Sequence, residues 1–157
     1  MPANVFLKLD DLKGGSRDKN HKDQIDVLAW SWGMSQGMSS GIGSSRKKVN
    51  VEDLSITKYI DKASPGLIRA VCSGKVFKEA LLTLSNSGEK LIDYYKVTFN
   101  DLVISSVTAG GNAGEDQPTE NITLKYAKFK VEYTPQKSNE KSDAVVEAVW
   151  DLSENAK

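Results

Sequence analysis

Residues able to do chemistry are sparse in this chain and poorly spaced for it. One histidine, His21, is present among 157 residues. With the many Ser and Asp side chains it makes a Ser-His-Asp set on paper. No serine here stands in the context of a strained nucleophile turn. His21 lies in a charged stretch, residues 17–23, and reads as a solvated surface residue. One histidine and one cysteine, Cys72, far apart in the chain, do not make a transition-metal site of N and S ligands. A dense carboxylate cluster able to hold a hard cation is absent, since Glu115 and Asp116 are a lone acidic pair in a loop. The Gly/Ser-rich residues 37–45, followed by Arg46, Lys47 and Lys48, could cradle an anion with backbone amides and Lys47. That stretch lacks the Gly-Lys-Ser/Thr ending, and a strand follows where a helix N-terminus should stand. Asn121-Ile122-Thr123 matches a glycosylation sequon but sits inside a strand-like run. No catalytic, cofactor-binding or metal-binding residue is expected.

Composition describes an ordinary globular chain of one domain, residues 1–157, with 39% apolar and 27% charged residues. Lys and Arg balance Asp and Glu at 21 each, so no field of one sign draws the protein to nucleic acid or to an anionic membrane. A single cysteine excludes an internal disulfide framework. The N-terminus shows no basic segment followed by an apolar one, so no cleavable leader is expected. No stretch approaches the roughly 20 apolar residues that span a bilayer. The expected setting is the cytoplasm, with any export by a route that needs no signal peptide.

Most of the chain alternates as strands do. Residues 5–9 form a first strand. Residues 25–34 form a second, with Leu28, Trp30, Trp32 and Met34 on one face, expected in the core, and Ala29, Ser31 and Gly33 on the other. Residues 49–60 form a third whose apolar phase slips, as a bulge or a bend between two surfaces would produce. Ser64 reads as an N-cap, Pro65 as the first helical residue and Gly74 as the stop of a helix over about 64–74. Its stripe of Leu67, Ile68, Val71 and Cys72 is expected to pack on the sheet, which makes Cys72 a small buried hydrophobe. Residues 76–84 and 91–107 flank a turn. Both faces of the latter are apolar, which suggests a strand passing between two sheets or buried against another subunit. After a Gly-rich loop, residues 109–118, come another phase-slipped strand over 122–133 and a last one near 146–152. The expected fold is mainly β: a small barrel or sandwich of antiparallel strands closed by one helix.

The run Asp26-Val27-Leu28-Ala29-Trp30-Ser31-Trp32-Gly33-Met34 resembles the second strand of Hcp, the haemolysin-coregulated protein family of bacterial type VI secretion systems. The resemblance continues through Val49-Asn50-Val51-Glu52-Asp53-Leu54 and Lys58-Tyr59-Ile60-Asp61-Lys62-Ala63-Ser64-Pro65. It resumes at Val103-Ile104-Ser105-Ser106-Val107 and at Pro118-Thr119-Glu120-Asn121-Ile122-Thr123-Leu124, in the family's order. It implies a small β-barrel with one helix, rings of six subunits stacked head to tail into a hollow tube, a surrounding contractile sheath and a VgrG-type spike. It further implies small effector proteins carried in the lumen. Some relatives bear a C-terminal effector domain, and this chain is expected to be the plain structural form.

On that resemblance the small face of residues 25–34, Ala29, Ser31 and Gly33, is the candidate lumen and effector surface. The loop carrying Ser40, Gly41, Ile42, Arg46, Lys47 and Lys48 is the candidate ring-stacking contact, with Glu115 and Asp116 as acidic partners. A phage-tail-tube protein shares the hollow-ring architecture and is an alternative. A ligand-binding barrel would need a cavity that the three Trp, five Tyr and four Phe could fill themselves. A hydrolase lacks a site.

Overall fold

The computed structural model describes residues 4–36, 49–86, 92–114, 116–135, 144–154 and 156. These form ten strands and one helix. The strands are β1 Asn4–Leu9, β2 Ile25–Val27, β3 Ala29–Ser31, β4 Met34–Gln36, β5 Val49–Val51, β6 Leu54–Tyr59, β7 Val76–Ser85, β8 Asp93–Gly110, β9 Thr119–Tyr133 and β10 Val146–Asp151, and the helix is α1 Ser64–Ser73. All pairings are antiparallel. The main sheet runs β2-β1-β7-β8-β9-β6-β3, with β10 added to β9. Its two ends, β2 and β3, are consecutive in the chain, and the Leu28 N–H between them donates to the Thr57 carbonyl of β6 at 2.7 Å. The sheet therefore curls into a nearly closed barrel, as the expected mainly-β fold requires.

That closure breaks the strand read over residues 25–34. β2 pairs with β1 while β3 pairs with β6, so the chain changes partner at Leu28 and its inward phase flips. Ile25 and Val27 point inward before the switch, and Trp30 and Trp32 pack on the core after it. Leu28 and Met34, expected in the core, are 47% and 45% exposed. The slip in residues 49–60 is a break at Glu52-Asp53, where the chain leaves the β4–β5 ribbon for the barrel.

The two apolar faces of β8 have a similar explanation, and neither a second sheet nor a partner subunit is needed to bury them. Asp101, with φ of 53°, stands unpaired between Asn100 and Leu102, whose partners on β9 are Lys128 and Tyr126. Both strands change inward phase at this level. Val97 and Phe99 point inward on one side of it, Leu102 and Ile104 on the other, and all four are buried.

Helix α1 begins one residue earlier than a Ser64 cap implies. Ala63 is the N-cap, Pro65 lies in the first turn, and Gly74 ends the helix in the left-handed conformation at φ of 68°. Ser64, Leu67 and Ala70 form the buried face. Cys72 and Ile68 are exposed, so Cys72 is not the core residue expected of it. Ser64 is displaced from capping by a stronger attraction. Its hydroxyl accepts from the Asp61 N–H at 3.0 Å and donates to Glu120 at 2.6 Å. Glu120 in turn pairs with fully buried Lys58, which also meets Asp61 at 2.9 Å. This ionic knot seats α1 over one end of β6 and β9.

His21 is not the solvated residue its charged neighbours suggest. It is 4% exposed and stacks on Phe6 at 4.1 Å between ring centroids. Gly14 lets its loop close. A Cβ there would stand 2.7 Å from the Gln24 carbonyl oxygen and the Ile25 Cα.

Candidate functional site

Two regions follow from the segment that runs through β3 and β4. The first is the outer face of the sheet around Ser31. Ala29 and Ser31 are exposed on β3, and Gly33 beyond them is half-buried against Glu52. Across the ladder Ala29 stands beside Thr57 and Ser31 beside Ser55 on β6. These in turn face Asn121 and Thr123 on β9, which face Thr108 and Ser106 on β8. Four strands thus present two rows of short, uncharged side chains, all polar except Ala29. Thr57 donates to Asn121 at 2.6 Å, and Thr123 shares hydrogen bonds with Ser105 at 2.6 Å and Ser106 at 2.5 Å. Ser105, the extra residue of a bulge between Ile104 and Ser106, also donates to Asp53 at 2.8 Å. The two rows themselves carry no charge, with Asp53 at their edge, and their small side chains keep the wall level.

Sequence reasoning found only the β3 portion of this face. The Ser/Thr/Asn residues at alternate positions of β6, β8 and β9 were visible, but nothing local says that those strands lie side by side.

The second region is the base of the 37–48 connection. Met34↔Val51 and Gln36↔Val49 pair as a separate two-stranded ribbon. It is fastened to the barrel by an aromatic cluster. Trp32 sets its edge against Phe99 and Phe129, at 5.3 and 5.1 Å between centroids. Its indole N–H donates to the Tyr126 hydroxyl at 2.5 Å, and Tyr126 donates onward to the Glu52 carbonyl at 2.9 Å. Glu52 N–H closes the base by donating to the Gly33 carbonyl at 2.9 Å. Burial pushes the Tyr126 phenol above its usual range, against the opposing pull of the Trp32 N–H. The hydroxyl therefore stays protonated as a donor. An apolar groove of about 690 Å³, lined by Met34, Val49, Phe129, Val149 and Trp150, separates the ribbon from β10.

Of the stacking residues expected in this connection, Ser40, Gly41, Ile42, Arg46, Lys47 and Lys48 lie outside the described residues, as does Glu115. Asp116 is exposed in the connection from β8 to β9. The β4–β5 ribbon and the segment at Pro118-Thr119 stand at opposite ends of one short strand. The ribbon enters β6 at Leu54, whereas Tyr59 at its far end pairs with Thr119 and is followed by an Ile60 N–H bond to the Pro118 carbonyl at 3.1 Å. Six residues of β6 separate them, roughly 20 Å at strand rise.

Among the described residues no group of three or more His, Cys, Asp and Glu side chains could hold a metal ion, and no helix is long and apolar enough to cross a membrane. A barrel with these features has known relatives. A family model for "Type VI secretion system effector, Hcp" matches residues 6–133. The chain is 46% identical to protein hcp1 of Pseudomonas aeruginosa, over 99% of its own length and 98% of that protein's. The chain belongs to the Hcp family. Solved structures agree. One of a type six secretion system protein superposes with a TM-score of 0.89 at 28% identity, covering 98% of each chain. Hcp1 from Salmonella typhimurium superposes with a TM-score of 0.83 at 33% identity, covering 99% of each. Hcp is a family of secreted type VI secretion proteins and not of enzymes.

Proposed function

We propose that this chain is the tube subunit of a type VI secretion system. Six copies form a ring, and rings stack head to tail into a hollow tube within a contractile sheath and beneath a VgrG-type spike. Assembly takes place in the cytoplasm, and contraction exports the tube without a signal peptide. The observation that supports this reading is that the β4–β5 ribbon and the segment at Pro118-Thr119 meet β6 at its opposite ends. A ring that stacks by heterologous contact needs different, complementary patches on its two faces. The 37–48 connection, with Arg46, Lys47 and Lys48 beside Ser40, Gly41 and Ile42, supplies one patch. The acidic connection with Glu115 and Asp116 supplies the other.

The same reading makes the small polar face the lumen wall. Ala29, Ser31 and Gly33 line it and small effector proteins ride against it. Side chains that are short, uncharged and already hydrogen-bonded to one another leave room for a folded cargo. The exposed apolar residues of β10, Val146 and Val149, together with the groove beside Trp150, suit lateral contact between neighbours in a ring.

Negative-stain microscopy of the purified protein tests the reading. Six-fold rings with an open centre support it, and monomers at high concentration refute it. Charge reversal at Arg46 and Lys47 is expected to leave rings that no longer form tubes. Ser31→Gln is expected to leave rings intact while lowering retention of a cognate effector.

A further inference from the structure

The loop joining β1 to β2 covers a patch on the outer wall of the barrel. Leu7 and Leu9 of β1 point inward, whereas Phe6 points outward and is nevertheless 4% exposed. His21 covers it, with ring planes 8° apart. Both imidazole nitrogens of His21 are engaged. Nδ1 lies 2.7 Å from an oxygen of Asp18 in the same loop, and Nε2 lies 3.0 Å from an oxygen of Asp93 at the start of β8. Asp18 is held in place by the backbone N–H groups of Asn20 and His21, at 2.9 and 3.1 Å. The imidazole is thus clamped between two carboxylates, one of them 72 residues away in sequence.

Proton counting turns this geometry into a device. A neutral imidazole has one N–H and one lone pair, while an ionised carboxylate only accepts. Two carboxylates can both be satisfied only when the ring carries two N–H groups, as the imidazolium. We propose that Asp18, His21 and Asp93 form a pH-sensitive clasp that is closed by the imidazolium and holds the β1–β2 loop over Phe6. Removing the ring proton points a lone pair at one carboxylate, and that contact is lost.

Charges of both signs surround the clasp, so the two carboxylates that touch the ring decide its state. At the level of Phe6 stand Asp26 on β2, Thr83 on β7, Lys96 on β8 and Glu132 on β9. Lys19 and Lys22 of the loop itself are exposed. The His21 imidazole beside Asp18 holds that carboxyl below its usual range, against the opposing effect of burial. The sign follows from both partners. A depressed carboxylate contributes stability above its unfolded value, near 4, and loses it as pH falls further. The imidazolium half of the clasp needs both ring N–H groups, one for each carboxylate, and is lost with the second ring proton as pH rises. The clasp therefore closes in mildly acidic solution, above the range where Asp18 takes up its proton, and opens in alkaline solution. Opening uncovers Phe6 on the outer wall. The device does not depend on ring assembly.

The test compares the full chain with Asp93→Asn and His21→Gln at pH 5.5 and 8.5. Asp93 is on the partly exposed side of the clasp, with its side chain 30% exposed, so its amide variant keeps the shape and removes the charge. Asp93→Asn is expected to lower the melting temperature by about 2–4 °C at pH 5.5, the shift that one charge-assisted contact produces in a chain of this length. At pH 8.5 the deficit should shrink to less than half. Hydrogen exchange should agree. After correction for the intrinsic effect of pH, wild-type peptides covering residues 17–24 should lose protection about tenfold between the two pH values. The same peptides of Asp93→Asn should change little. If His21→Gln fails to fold, Asp93→Asn alone decides. An equal deficit at both pH values, or a larger one at pH 8.5, would mean that a neutral His21 serves only as packing, and would overturn the proposal.

Discussion

Lys58→Met is the perturbation whose cost the structure specifies most fully. Lys58 is fully buried and Glu120 is 1% exposed, and the two face each other across β6 and β9. Methionine replaces the aliphatic stem at similar volume, so the loss is one of charge and not of packing. Glu120 is then left with the Ser64 hydroxyl, 2.6 Å away, as the partner for a buried carboxylate. Breaking one side of a buried pair costs about 3–5 kcal/mol. In a chain of this length that lowers the melting temperature by about 6–20 °C. Glu120→Gln should cost less, because Lys58 keeps Asp61 at 2.9 Å and Ser64 at 3.3 Å. The double variant Lys58→Met with Glu120→Leu should recover most of the loss, since neither charge remains to be desolvated. Urea unfolding of Lys58→Met, Glu120→Leu and the double variant, at one pH and salt concentration, measures the whole cycle. The reasoning fails if Lys58→Met lies within 1 kcal/mol of wild type. It fails equally if the double variant is as unstable as the sum of the singles.

Tyr126→Phe removes the acceptor for Trp32 and the donor to Glu52, and should cost about 1–3 kcal/mol in denaturant unfolding while speeding amide exchange at the base of the β4–β5 ribbon. Gly14→Ala places a Cβ 2.7 Å from backbone atoms of Gln24 and Ile25, which cannot yield as a side chain can. A loss of about 1–3 kcal/mol is expected in the same assay. Cys72→Ser and Leu28→Ser should both stay within about 0.5 kcal/mol of wild type, because both side chains are exposed. A core residue in either place would lose several times that.

What the sequence determined by itself was whatever local chemistry specifies. Alternation marked the strands, because side chains of period two must bury one face in any β-fold. Pro65 and Gly74 bounded the helix, because one fits the first turn and the other adopts positive φ without strain. The family resemblance was also legible, since its residues run in order through most of the chain. Tertiary structure decided the rest. The apolar positions of residues 25–34 slip from Ile25 and Val27 to Leu28, Trp30, Trp32 and Met34, but a local pattern cannot say that the chain changes partners at Leu28 to close a barrel. Ser64 looked like a cap because its competing partner, Glu120, is 56 residues away. His21 looked solvated because its neighbours are charged, while Phe6 and Asp93, which bury and hold it, are distant in sequence. The polar face around Ser31 followed the same rule. Each strand showed its own Ser and Thr residues, but only the order β3-β6-β9-β8 laid them side by side, because cross-strand register is set by long-range pairing and not by local propensity.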